Sequence, residues 1–137
     1  MEAKDLLGLD VGQAHTGIAR ASSVAQIAVP LAGVKTSELI QTLQKLVKDQ
    51  ETEAIVVGLP RNLSSEDTAQ TKWVRDWAAA AKNQIAVPFY WQDEALTSKI
   101  AGLRQAASKK PMDEHAVAAA IILQDFLDEP VAARIPC

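Results

Sequence analysis

Ala54 to Leu59 is an unbroken apolar run, closed by Pro60. A run this short, without polar alternate positions, predicts a central parallel strand covered on both faces. A chain with such a strand needs helices above and below it, which points to an α/β architecture. The rest of the sequence supplies them. Leu6 to Val11 reads as a first strand, with Leu7, Leu9 and Val11 on one face and Leu6, Gly8 and Asp10 on the other. Gly12 invites a tight turn, and Thr16 to Ala21 and Ile27 to Val34 read as two further strands. These three form an antiparallel meander, whose third strand Pro30 sends to an edge. A helix capped by Thr36 or Ser37 carries Leu39, Ile40, Leu43, Leu46 and Val47 on one face.

Beyond the central strand, Ser64-Ser65-Glu66-Asp67 predicts the start of a helix that buries Trp73, Val74, Trp77, Ala78 and Ala81. Ile85 to Trp91 predicts a fifth strand, with Gln92-Asp93-Glu94 at its C-terminal end. Helices follow from about Thr97 to Ala107 and from about Met112 to Leu127, the latter with Val117, Ala120, Ile121 and Gln124 on one side. Glu129-Pro130 ends it and leaves about 128–137 as a loosely held tail. The expectation is one domain over residues 1–137, a mixed five-stranded sheet in which the antiparallel meander is followed by parallel strands, with helices on both faces.

Composition narrows the function. At 137 residues and 48% hydrophobic content the chain can build a core and is neither disordered nor collagen-like. No apolar stretch nears the roughly 20 residues of a membrane span. Met1 to Asp5 lacks the basic start and apolar stretch of a signal peptide. Cys137 is a lone cysteine, so no internal disulfide or cysteine-built metal site is expected. These features predict a cytoplasmic protein with no membrane partner. A net charge of -3 and a pI near 5.3 exclude coating of nucleic acid by bulk charge and leave room for a local basic patch.

Chemistry would gather at the C-terminal strand ends. Asp10 ends the first strand, Asp93 and Glu94 the fifth, and Asp113 begins the last helix. Converging carboxylates repel one another unless a cation joins them or they share protons. Oxygen donors suit Mg²⁺ or Mn²⁺, and two such ions can hold the attacking and leaving oxygens of a phosphodiester. Each acid also has a structural role open to it: Asp10 as a turn residue, Asp93 and Glu94 as loop acids or a helix cap, Asp113 as a partner of the helix dipole. His15 and His115 read as surface residues, and Gly8 to Gly12 with Thr16-Gly17 could also make a phosphate-binding turn, a weak signal because glycines first of all make turns. Arg61, Lys72, Arg75, Lys109 and Lys110 are candidates for phosphate contacts.

With these residues in place, the chain resembles the YqgF/RuvX family of pre-16S ribosomal RNA nucleases and Holliday-junction-resolvase-like proteins. The resemblance rests on Gly8-Leu9-Asp10-Val11-Gly12 with Thr16-Gly17-Ile18-Ala19, on Val57-Gly58-Leu59-Pro60, on Asp93-Glu94-Ala95-Leu96-Thr97, and on the stretch from Asp113 to Leu127. It implies an RNase H-like fold and a divalent-metal nuclease acting in 16S rRNA 5′-end maturation. Asp10 would be the central metal ligand, Glu94 and Asp113 would complete the site, and Asp93 would be a fourth. The partner would be precursor rRNA or branched DNA, and the protein a monomer or homodimer. The family carries arginine at the positions of His15 and Ala95, and a glycine near Ser65. Alternatives are a Holliday junction resolvase, a non-catalytic RNA- or ribosome-binding protein, and, least favoured for so short a chain, a nucleotide-binding ATPase domain.

Overall fold

A computed structural model describes residues 4–62, 64, 66–95 and 111–137. Three strands come first, β1 (Asp5–Val11), β2 (His15–Ser22) and β3 (Val29–Lys35). They are followed by α1 (Leu39–Asp49), β4 (Thr52–Arg61), α2 (Ala69–Lys82), β5 (Phe89–Ala95), α3 (Pro111–Asp128) and β6 (Ile135–Pro136). The sheet runs β3-β2-β1-β4-β5-β6. β1 pairs antiparallel with β2 and parallel with β4, and β4 pairs parallel with β5. The central strand is therefore β4, as its continuous apolar run requires. The predicted helix from Thr97 to Ala107 lies outside the described residues, as do Lys109 and Lys110.

Alternation along β1 divides the core. Leu7, Leu9 and Val11 pack with Ile55 and Val57 of β4 against Leu39 and Leu43 of α1 and Val74 and Ala81 of α2. On the opposite face Leu6 joins Val56, Ala119, Ile122, Leu123 and Phe126 under α3. Helices thus cover both faces. Burying one Leu- or Phe-sized side chain in either layer contributes about 1.5–3 kcal/mol.

Three glycines set the seating of α3. A Cβ on Gly8 would lie 2.6 Å from the Leu123 Cβ, and one on Gly58 would lie 2.5 Å from the Ile122 Cδ1. At Gly17 it would meet the main chain itself, 1.9 Å from the His115 carbonyl. The buried residues of α3 are consequently Ala116, Ala118, Ala119, Ile122, Leu123 and Phe126. The stripe expected from sequence, Val117, Ala120, Ile121 and Gln124, is half-exposed instead. Both stripes are largely apolar, and only the glycines opposite them choose between the two.

Several boundaries also differ from expectation. The sheet has a sixth strand, because the tail expected to be loose pairs Ile135 with Trp91 and Pro136 with Tyr90. Cys137 packs against the first core cluster, and burial pushes its thiol up to about 12. Thr36 does not cap α1. Its hydroxyl donates to the Gly12 carbonyl at 2.6 Å, and a 3₁₀ turn over Thr36–Glu38 precedes the helix. α2 starts at a cap on Thr68 rather than at Ser64, because the Asn62 side chain captures the amides of Ser64 and Glu66 at 3.0 and 2.9 Å. This is an Asx-type turn, and it holds that segment out of the helix. β5 begins four residues later than predicted, its register fixed by Ile55 opposite Phe89 and Arg61 opposite Ala95. Asp93 and Glu94 accordingly lie within the strand, paired with Leu59 and Pro60.

Candidate functional site

Asp10 occupies the α3-facing side of β1 and is 4% exposed. A carboxylate so placed requires a partner. His115 provides one from the first turns of α3, its Nδ1 standing 3.0 Å from Asp10 Oδ2. That contact depends on Gly17, whose bare Cα lets the α3 backbone settle directly onto β2. The turn after β1 is clamped by hydrogen bonds from Gly12 N to the His15 carbonyl at 3.0 Å and from Thr36 N to the Ala14 carbonyl at 2.9 Å. A second clamp comes from Thr16, whose hydroxyl lies 2.8 Å from that of Thr36. Between these elements opens a cleft of about 170 Å³, lined by Asp10, Val11, Gly12, Pro60, Gln70 and His115. The His15 ring stands close by, 6.5 Å from His115 between centroids.

Glu94 shares the α3 side of the sheet with Asp10 but lies further along. Leu9 is opposite Val57, and Gly58 is opposite Gln92, so Asp10 is level with Gln92 and Glu94 is two residues beyond it. Given strand spacings, about 12 Å separates the Asp10 and Glu94 Cα atoms. The Glu94 carboxyl is hydrogen-bonded to Asp125 of α3. Asp125 is ten residues from His115, or about 15 Å along the helix. The structure thus attaches the two carboxyls to opposite ends of α3. Among the described residues, no three His, Cys, Asp or Glu side chains converge to hold a metal ion. Asp113 starts α3 as expected, but its side chain lies outside the described residues.

The Glu94 carboxyl is nonetheless strongly perturbed. Burial, the hydrogen bond and charge of Asp125, and the charges of Asp93 and Glu129 push its carboxyl up from 4.5 to about 9. Its Oε1 is buried with no hydrogen-bond partner among the described residues. The folded state therefore favours the protonated acid. Below about pH 4.5 folded and unfolded chains both carry that proton and its contribution is complete; as pH climbs towards 9 the unfolded chain ionises first and the stability is lost. In metal-free buffer, unfolding free energy should fall across this window. Glu94→Gln should flatten the fall and add on the order of 1–2 kcal/mol at pH 8, after allowance for solvent screening. Urea midpoints for both proteins from pH 5 to 9 in EDTA check this, and parallel profiles would refute it.

Asp93 points to the opposite face and does not join this group. It pairs with Arg61, Nη1 to Oδ2 at 3.3 Å. Arg61 and Arg75 both also reach Asp67, each at 3.2 Å, and Arg75 lies over the Trp91 ring at 5.6 Å. Two of the expected phosphate contacts are thus held in a half-exposed acid–base network, while Lys72 is exposed on α2. Such surface pairs are worth about 0–1 kcal/mol each, so phosphates can displace them.

His115 is the residue that sequence reasoning missed. As a lone histidine it carried no spacing signal. The clue available was Gly17, a small residue one strand over from Asp10, which marks where another backbone must come close.

A family model described as RuvX, Holliday junction resolvase, matches residues 4–129. A protein of Chloroflexus aurantiacus named "Putative pre-16S rRNA nuclease" is 34% identical over 93% of this chain and 89% of its own length. Its namesake in Crocosphaera subtropica is 32% identical over 98% of this chain and all of its own, and that of Lactococcus lactis subsp. lactis is 30% identical over 90% and 93%. T. thermophilus RuvC, solved with a Holliday junction substrate, shares the fold with a TM-score of 0.57 at 17% identity, covering 98% of this chain and 99% of that one. Fold and site together define an α/β protein of the RuvC-like, RNase H type, with a buried carboxylate at the end of its first strand. The chain belongs to the RuvX family.

Proposed function

We propose that this protein is a divalent-metal-dependent nuclease that hydrolyses phosphodiester bonds in maturing the 16S rRNA 5′ end in the cytoplasm. The observation that carries this reading is the buried Asp10 carboxylate, held by His115 and opening on a cleft beside the Gly12 turn. Ligands of doubly covered sheets enter at this end of the strands. The chemistry of the individual donors suits a hard cation. Asp10 offers a desolvated carboxylate, and Glu94 has a buried oxygen with no partner among the described residues, where neighbouring acids oppose its ionisation. A cation reverses that opposition.

We assign Asp10, Glu94 and Asp113 to hold Mg²⁺ or Mn²⁺, with two ions in the full site. Glu94 must turn from Asp125 towards β1 to join it. Asp93 is left to Arg61 and is not assigned. When bound, the ions supply Lewis-acid stabilisation of the charge that grows on a phosphodiester during in-line displacement. His115 fixes the direction of the Asp10 carboxylate, and Gly12 lets a phosphate approach the backbone closely. Arg61 and Arg75 guide the polyanion by exchanging carboxylate partners for phosphates, and Lys72, Lys109 and Lys110 are assigned to add positive charge along its path.

The description of the family model and the RuvC-like fold favour a second reading, resolution of four-way junctions, in which two copies would cut symmetric strands. One assay covers both. The purified protein is incubated with an RNA spanning the 16S precursor 5′ end and with a DNA four-way junction, in Mg²⁺, Mn²⁺ or EDTA. Metal-dependent shortening of the RNA is the expected result. Cutting of the junction alone would favour the second reading. Binding of RNA without any cleavage would overturn both in favour of a non-catalytic RNA-binding role.

A further inference from the structure

The cleft beside Asp10 is lined by one uncharged polar side chain, Gln70, to which the nuclease reading gives no task. We propose, resting on that reading for the phosphodiester chain that enters the cleft, that the Gln70 carboxamide is a specificity-determining contact. It accepts a hydrogen bond from a substrate 2′-hydroxyl, so that the cleft tells RNA from DNA.

Gln70 is the second residue of α2 and is half-buried. The turn that carries it is fixed. Thr68 Oγ1 accepts from Thr71 N at 3.3 Å, and Thr68 N donates back to the Thr71 hydroxyl at 2.9 Å. That hydroxyl, fully buried, donates to the Pro60 carbonyl and ties α2 to the end of β4. From this base Gln70 reaches across to β1, where its Nε2 donates to the Val11 carbonyl at 3.5 Å, one residue from Asp10. So long a bond is weak, but it orients the amide. Nε2 faces the carbonyl, and Oε1 is the end left for a ligand, with no hydrogen bond among the described residues. An acceptor in this place sorts ligands by chemistry. Phosphate oxygens are acceptors too and gain nothing from it, and deoxyribose offers no hydroxyl at its 2′ carbon. Ribose offers the 2′-hydroxyl, the group by which proteins separate RNA from DNA. With a phosphate held beside Asp10, the sugar joined to it comes within reach of a side chain anchored at Val11. Arg61 and Arg75 can grip either backbone by charge, so discrimination falls to a neutral group. An enclosed site that bonds a hydroxyl rejects the analogue lacking it by roughly 10⁴-fold. Gln70 is only half-buried, so water can take the place of the hydroxyl and about tenfold is expected.

The test pairs the full chain with an RNA spanning the 16S precursor 5′ end and with the same RNA carrying a 2′-deoxy sugar at single nucleotides on either side of the mapped cut. In wild type, one such replacement should lower kcat/KM about tenfold. Gln70→Leu, which has no acceptor, should cleave the all-ribose RNA about tenfold more slowly and shrink the gap between the two substrates to less than about twofold. Gln70→Glu keeps an acceptor in the same place and should restore the gap. No gap in wild type, a gap that survives in Gln70→Leu, or a gap that follows the base rather than the sugar when the base there is changed would each overturn the assignment and leave the nuclease reading standing. Cutting of a DNA four-way junction as fast as the RNA would also overturn it. If no metal supports any cleavage, the nuclease reading falls by itself. The ratio of Kd values for the RNA and its all-2′-deoxy counterpart then decides: Gln70→Leu should shrink the preference for RNA about tenfold, and an unchanged ratio would overturn the contact.

Discussion

Asp10→Asn is expected to lower metal-dependent cleavage by more than about 100-fold, because changes one layer further from a metal already cost 10–100-fold. The substitution conserves volume in a site that is 4% exposed, so no cavity forms on β1. It removes the negative charge that would attract the cation, and it weakens the contact with His115 Nδ1 from a charge-assisted hydrogen bond to a neutral one. The net change in folding free energy should stay within about 2 kcal/mol, since an amide can still bond the ring. Activity and stability should therefore separate. Cleavage assays at saturating Mn²⁺, alongside thermal unfolding of wild type and variant, make the comparison. RNA affinity should change little, because the basic side chains that would hold the backbone are elsewhere. An active Asp10→Asn protein would mean that the chemistry lies outside the β1 cleft.

How much of this was legible in the sequence depends on which contacts are local. The split of β1 into Leu7, Leu9 and Val11 on one side and Leu6, Gly8 and Asp10 on the other follows from strand geometry, and the structure realises it residue by residue. The same holds for the covered strand at Ala54 to Leu59, which became the centre of the sheet. Errors arose where distant partners decide. Ile85 reads as part of a strand because it is apolar, yet it is buried in the approach to β5, whose extent is set by pairing with β4. α3 is apolar on more than one side, so periodicity could not say which stripe faces the sheet. That choice belongs to Gly8, Gly17 and Gly58 on three other strands. The site shows the same division. A carboxylate ending a buried strand announced Asp10 locally, while its partner His115 lies 105 residues away.

Those glycines lead to the other large effect, and they rank it. Gly17→Ala would place a Cβ 1.9 Å from the carbonyl of His115 and 2.4 Å from Ala116 N, atoms of a helix backbone that no rotamer change can move. Gly8→Ala meets the Leu123 Cβ at 2.6 Å, a side-chain atom but one fixed to the main chain. Gly58→Ala meets only the Ile122 Cδ1 at 2.5 Å, the free end of a side chain with other rotamers. Overpacking a close-packed interior typically costs 1–3 kcal/mol, and more where backbone must shift. The expected order of destabilisation is Gly17→Ala, then Gly8→Ala, then Gly58→Ala, with the first above about 3 kcal/mol and the last near 1 kcal/mol. To admit the methyl group at Gly17, the start of α3 must lift by more than an ångström, on the order of the shift at which misplaced catalytic groups lose about 100-fold in rate. That lift also parts His115 from Asp10. Gly17→Ala should therefore lose cleavage even at temperatures where it remains folded. Gly58→Ala, which leaves the start of α3 in place, should keep its cleavage activity. Urea denaturation orders the three variants, and cleavage assays below their unfolding temperatures report the site. A Gly58→Ala protein as unstable as Gly17→Ala would show that α3 is not seated by main-chain contact at β2, and the geometry argued for Asp10 and His115 would lose its support.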